Sequence, residues 1–189
     1  MCGLAGEVHW KGGVDPAATE RMAQGIAHRG PDDHGLWVED DRRCVRDIVR
    51  STGFFSAEEI DVAEELVCEH LQKGPASGYL FVFAQSPDGH VLGYACYGPV
   101  PCTERSFDLY WIAVHADSRG RGLGKALMHE VERRLRASGG GKLIAETSSR
   151  GQYAPTQAFY RSCGFIEEAR IRDYYSPGED ILYFTKSLG

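Results

Sequence analysis

No two of the six cysteines, Cys2, Cys44, Cys68, Cys96, Cys102 and Cys163, form a C-x-x-C pair. The usual zinc-knuckle and thiol-redox spacings are therefore missing, no metal is expected, and the cysteines read as reduced and mostly buried. The chain also lacks any apolar run long enough to span a bilayer, and it lacks a secretory leader. This points to a cytoplasmic protein with no membrane partner. Basic residues are the minority: 21 Lys and Arg against 27 Asp and Glu leave a formal net charge of −6. That is the wrong sign for a general nucleic-acid binder. There is no internal repeat and no low-complexity run. What remains is 189 residues, 42% hydrophobic and 25% charged, enough for one globular domain with a sizeable core.

The most informative stretch is Arg119-Gly120-Arg121-Gly122-Leu123-Gly124. A nearly continuous apolar run, Phe107 to Val114, leads in and reads as a central strand. Leu123, Leu127, Val131 and Leu135 follow at helical spacing over a helix that includes Lys125 to Arg136. Three glycines in five positions let the backbone turn tightly and approach a ligand closely. A helix start has unpaired N–H groups and the positive end of the helix dipole, so it suits phosphate. Arg119 and Arg121 add positive charge. The amides of Arg121, Gly122, Gly124 and Lys125 are the candidate pyrophosphate donors.

The remaining elements follow from period and punctuation. A helix is expected from Asp40 to Arg50, carrying Val45, Ile48 and Val49. Ser56 with Glu59 reads as a capping box that starts a helix bearing Ile60, Ala63, Val67 and Leu71, ended by Lys73-Gly74-Pro75. Tyr79–Ala84 and Val91–Tyr97 read as a hairpin around Pro87-Asp88-Gly89. Gly139-Gly140-Gly141 ends the helix after the glycine loop, and a strand follows from Leu143 to Thr147. A short helix spans Thr156 to Cys163, and strands at Phe165–Tyr174 and Ile181–Lys186 are joined through Ser176-Pro177-Gly178.

Two resemblances follow from these residues. Met1-Cys2-Gly3 and His28-Arg29-Gly30-Pro31-Asp32-Asp33 resemble the start of class II glutamine amidotransferases of the asparagine synthetase type. That implies Cys2 as a nucleophile with its own α-amine as base. The strands and glutamine-binding residues of such a domain have no counterpart after Trp37, so residues 1–37 read as a partial appendage. From residue 38 to 189, the element order resembles the GNAT N-acetyltransferases. Arg119-x-x-Gly122-x-Gly124 fits their pyrophosphate signature, and Phe159-Tyr160-Arg161-Ser162-Cys163-Gly164-Phe165 fits their tyrosine helix followed by glycine and an aromatic.

The second resemblance implies an α/β (α+β) fold with a mixed, mostly antiparallel sheet flanked by helices. It implies acetyl-CoA as co-substrate, a small-molecule or peptide amine as acceptor, and a possible homodimer. Ile112, Ala113 and Val114 would pair their backbone with the pantetheine arm, and Arg119, Gly120, Arg121, Gly122, Gly124 and Lys125 would hold the pyrophosphate. Tyr160 would be the general acid. Asp108 is the candidate base, with Glu146 or an ordered water as rivals and His115 as a lesser one. The chain departs from the family at Tyr153, where many relatives have asparagine. It also departs where an initial strand is expected, for which Gly35-Leu36-Trp37-Val38 is the candidate. Asp173-Tyr174-Tyr175 and Glu179-Asp180 mark the region expected to meet a cationic acceptor.

Overall fold

The computed structural model describes residues 39–189. The amidotransferase-like segment, Cys2 and the candidate initial strand lie outside the described residues. Helix α1 spans Glu39–Thr52 and α2 spans Ala57–Lys73. They are followed by β1 (Leu80–Gln85), β2 (Val91–Pro99) and β3 (Ser106–Val114). Helix α3 (Leu123–Ala137), β4 (Lys142–Ser148), α4 (Ala154–Ser162), β5 (Ile166–Ser176) and β6 (Glu179–Ser187) complete the domain. The expected order holds throughout. The last two strands run further than expected, and three-residue 3-10 segments at Ala116–Ser118 and Gly151–Tyr153 were not foreseen.

The capping box forms as the sequence implies. Ser56 Oγ accepts from the Glu59 N–H at 3.2 Å, and Glu59 Oε2 accepts from the Ser56 N–H at 2.8 Å. The hairpin closes through Gly89, whose φ is +89°, a conformation open chiefly to glycine.

The six strands are ordered β1-β2-β3-β4-β6-β5. All neighbours are antiparallel except β3 and β4. As expected, β3 is an interior strand. Helices α3 and α4 cover one face over a core that includes Leu109, Leu127, Val131, Leu143, Tyr160 and Phe184. Helices α1 and α2 cover the other face over Val45, Ile48, Val67, Phe81, Tyr94 and Ala113. This second core includes no residue of β4, β5 or β6. Among the described residues, α1 and α2 therefore leave that half of the sheet face uncovered. In β5, every residue from Ile166 to Tyr175 is exposed.

Buried acids in the helical layers are paired, as their desolvation requires. Glu132 meets Lys186 Nζ at 2.6 Å, and the same ammonium donates to the Cys163 carbonyl at 2.6 Å. One lysine thus ties α3, β6 and the end of α4 together. The cysteines correct one expectation. Among the five described, only Cys96 is fully buried, while Cys102 is exposed in a turn with φ +62°.

Two features of the β2–β3 pair position the site. In the β2–β3 pair, Cys96 faces Trp111 and Tyr97 faces Leu109, so Tyr110 is an extra residue in β3. This bulge reverses the strand's facing. Leu109 points into the α3/α4 core, whereas Trp111, also odd-numbered, packs against the α1/α2 core. Beside it, Gly98 pairs with Asp108, and a Cβ on Gly98 would stand 1.9 Å from the Gly78 carbonyl oxygen. Gly98→Ala is expected to destabilise the fold by about 1–3 kcal/mol, the scale of overpacking. Thermal denaturation checks this, with a loss of about 2–4 °C for each kcal/mol in a chain of this size.

Candidate active site

The site grows from the bulge. Strands β3 and β4 pair over four rows only, from Ser106↔Lys142 to Leu109↔Ala145. After Tyr110 turns β3, the two parallel strands separate, and among the described residues Tyr110–Val114 have no strand partner on that side. On the other side, the His115 N–H donates to the Leu92 carbonyl at 2.8 Å, and Val114 faces Gly93. Antiparallel alternation then directs the polar groups of Ala113 at β2 and those of Ile112 and Val114 into the gap. Of the three residues expected to meet a ligand's amide arm, two have backbone there without a strand partner among the described residues. Ala113 is committed to the sheet and is buried.

The chain leaves β3 directly into the glycine loop. Gly120 and Gly122 have φ of +74° and +82°, where a side chain would be strained. Gly122 is the N-cap of α3, without a side-chain cap. The first backbone bond into the helix runs from the Ala126 N–H to the Gly122 carbonyl. The N–H groups of Leu123, Gly124 and Lys125 precede it and have no carbonyl one turn back to bond. Gly124 serves a different purpose from the other two glycines. It has ordinary backbone, and a Cβ there would lie 3.2 Å from the Phe159 ring. Its bareness brings α4, and with it Tyr160, close against the loop.

The arginines differ. Arg121 is exposed. The Arg119 guanidinium lies 5.2 Å from the centre of the Phe54 ring and makes a long 3.5 Å contact with the Thr52 carbonyl. It therefore ties the loop to the end of α1. Ser51 Oγ reinforces this tie by accepting from the Ala116 N–H at 3.1 Å. Phe54 also faces Tyr153, with centroids 6.4 Å apart, so the tyrosine that departs from the family pattern belongs to this aromatic contact. His115 accepts from the Asp117 N–H at 3.3 Å within its turn.

Tyr160 is 5% exposed and packs among Phe159, Phe165 and Phe184. Its hydroxyl has no hydrogen bond among the described residues. Burial first, and then the nearby Glu146 charge, push its phenol well above the usual range. Tyr160 approaches from the α4 side of the sheet, and Glu146 faces the other side.

Asp108 and Glu146 share that other face, because Asp108 pairs with Ile144 and Glu146 lies two residues further on. Neither makes an ion pair or hydrogen bond among the described residues. Loss of solvent raises both carboxyls, and the Asp108 charge raises Glu146 further. Glu146 is exposed by surface area, yet its neighbours still take part of its solvent.

The acids expected to meet an acceptor are engaged elsewhere. Glu179 is buried against Arg150 at 2.6 Å and Ser148 at 2.7 Å. Asp180 holds Arg170 and the Asp173 N–H, and Asp173 accepts from the Gly178 N–H at 2.6 Å. These carboxylates build the β5–β6 hairpin and are not free for a ligand. The tyrosines beside them remain free of such roles. Tyr183 lies directly across from Glu146. Tyr175 has its phenol pushed up to about 12 by burial and then by Glu146, Tyr174 and Tyr183. Tyr110, the bulge residue, feels Asp108. Sequence reading missed Tyr110 and Tyr183, because only the register reveals their proximity to the carboxylates.

Fold and gap together define an α/β protein with a glycine-rich, uncapped helix start beside a broken parallel strand pair. The chain belongs to the acetyltransferase (GNAT) family, whose model matches residues 31–165, and is an N-acetyltransferase of that type. The match begins ahead of residue 38, where the sequence suggested a boundary. A crystal structure from Desulfovibrio desulfuricans assigned to the same family is 48% identical, with a TM-score of 0.79 over 82% of this chain and 96% of that one. A ribosomal-protein-alanine N-acetyltransferase from Brucella melitensis is 26% identical, with a TM-score of 0.64 over 79% and 96%. A Salmonella typhimurium protein crystallised with acetyl-CoA shares the fold at 19% identity, with a TM-score of 0.62 over 80% and 91%. No curated protein matches the chain. Among the described residues, no helix is long and apolar enough to cross a membrane.

A raised carboxyl holds its proton more tightly folded than unfolded, so its ionised form costs stability as pH rises. Asp108→Asn and Glu146→Gln are therefore each expected to raise the melting temperature at pH 7, with the gain shrinking as pH falls through the carboxylate range. Melting curves between pH 4 and pH 8 check the sign.

Proposed function

We propose that the protein transfers an acetyl group from acetyl-CoA to a primary amine by direct attack, with Tyr160 as the general acid. The observation that carries this reading is the gap between β3 and β4. Among the described residues it has backbone without a strand partner on one side, uncapped helix amides at one end, a mostly buried tyrosine on one face, and two carboxylates without ion pairs on the other. The amides of Arg121, Gly122, Gly124 and Lys125 would hold the pyrophosphate of the acyl donor, with Gly120 shaping the turn and Arg121 adding charge. Any one such contact contributes only about 0.3–1 kcal/mol, so several must act together. Arg119 supports the loop from outside. Ile112 and Val114 would pair with the pantetheine amides as an added strand does, while Ala113 anchors β3 to β2.

The acceptor enters as an ammonium and must lose a proton before attack. Asp108 accepts it. It is partly desolvated, unpaired and raised toward neutrality, which suits a base better than an ordinary carboxylate does. The amine nitrogen then attacks the thioester carbonyl. A C–N bond forms, the C–S bond breaks, the leaving thiolate takes the Tyr160 proton, and the second proton that the nitrogen sheds on becoming an amide returns to the phenolate. A phenol raised by burial is a weak spontaneous acid, but the thiolate formed next to it in a dry site is a strong proton sink.

Tyr160→Phe should lower kcat by about a hundredfold or more, the scale of general acid catalysis, while acetyl-CoA binding is retained. Thiol release under saturating acetyl-CoA measures the first, and calorimetric titration the second. Unchanged kcat would remove Tyr160 from the role.

A further inference from the structure

Tyr160 serves as an acid only where α4 holds it at the gap, and one buried carboxylate stands behind that helix. Glu179, the first residue of β6, is 7% exposed. Its Oε1 accepts from Ser148 Oγ at 2.7 Å, and its Oε2 accepts from Ser176 Oγ at 3.1 Å and from the Arg150 guanidinium at 2.6 Å. Ser148 ends β4 and is itself buried. Its hydroxyl also accepts from the Arg150 N–H at 3.0 Å, and its carbonyl accepts from Gln157 Nε2 at 3.1 Å. Gln157 lies on α4, three residues before Tyr160 and so about one turn away. The end of β4, the link that follows it, α4 and the β5–β6 turn are thus joined through one carboxylate.

We propose that Glu179 is a positioning residue, which through Ser148 and Gln157 fixes where α4 presents Tyr160 to the gap. Its effect on turnover rests on the acyl-transfer reading, and its effect on placement can be measured without turnover. Tyr160 packs among Phe159, Phe165 and Phe184, and apolar contact of that kind has no preferred direction. Hydrogen bonds to an ionised group are short and directional. With its hydroxyl donating to Glu179 and accepting from the Arg150 amide, Ser148 has its carbonyl set in place for Gln157. A reacting group misplaced by about 1 Å costs about a hundredfold in rate. The amides proposed to hold the acyl donor belong to the glycine loop and α3, outside this network, so losing Glu179 should touch turnover and spare donor binding.

Carbon NMR of protein labelled at the tyrosine Cζ tests the placement, each signal being assigned by its loss in the matching Tyr→Phe variant. Glu179→Gln and Gln157→Leu are each expected to shift or broaden the Tyr160 signal. Those of Tyr97, in the same core, and Tyr94, in the opposite one, should stay where they are. An unmoved Tyr160 signal in either variant overturns the proposal. Movement of all three signals also overturns it, since that marks general loosening. Thiol release from saturating acetyl-CoA, with 1-aminobutane as acceptor, supplies the second arm. Glu179→Gln should lower kcat at least tenfold while calorimetry finds acetyl-CoA affinity within twofold of the parent's. With Tyr160 already replaced by Phe, the same change should cost less than twofold further, because the two residues act as one unit. Equal losses in both backgrounds would contradict action through Tyr160. A Tyr160→Phe variant with unchanged turnover would instead contradict the acid reading, and the tyrosine signals then decide the placement on their own.

Discussion

The structure depends on an interruption in backbone pairing. Parallel strands pair evenly when both keep their twist. Here one extra residue, Tyr110, turns β3 after only four paired rows, and β4 continues along its own line. The consequence is a pair of interior strands that part within the sheet. Unpaired backbone in a sheet interior is costly when dry. That cost is tolerable if a ligand with amides of its own can occupy the opening, and the proposed acyl donor has such amides. The bulge also rotates β3, so that Leu109 and Trp111 serve opposite cores, which anchors the turn from both faces of the sheet.

Close approaches then hold the proposed catalytic groups to the opening. Gly124 lacks the Cβ that would separate the loop helix from the Phe159 ring, and Phe159 precedes Tyr160 on α4. Lys186 joins α3, β6 and the end of α4 on the same side. On the other side, Ser51, Thr52 and Phe54 hold the chain as it leaves β3. The glycine loop is thus fixed from both faces of the sheet. Its three glycines do different work: two permit left-handed backbone, and one permits packing.

Much of this was legible in the sequence because it depends on short-range signals. The capping box at Ser56, the turn at Gly89, the glycine loop and the spacing of Leu127, Val131 and Leu135 are all local. The bulge was not legible. Phe107–Val114 is apolar on both faces, so the run has no alternation whose phase could be seen to slip. The fate of the acids was equally hidden. Glu179 and Asp180 look no different from Asp108 in the chain, and only the fold gives Arg150 and Arg170 to the first two. Cys102 shows the same limit from the other direction, since its residue type suggests burial and its turn exposes it. Residues 1–37 carry motifs of their own and lie outside the described residues.

The central claim is that the opening between β3 and β4 receives the acyl donor through main-chain groups. Amide hydrogen exchange with and without acetyl-CoA, resolved to single residues, tests it most directly. The account predicts slowed exchange at Ile112, Val114 and Leu123 to Lys125 on binding, with little change at Ala113, whose N–H already serves β2. Unaltered exchange at those positions, together with new protection elsewhere in the domain, would contradict it.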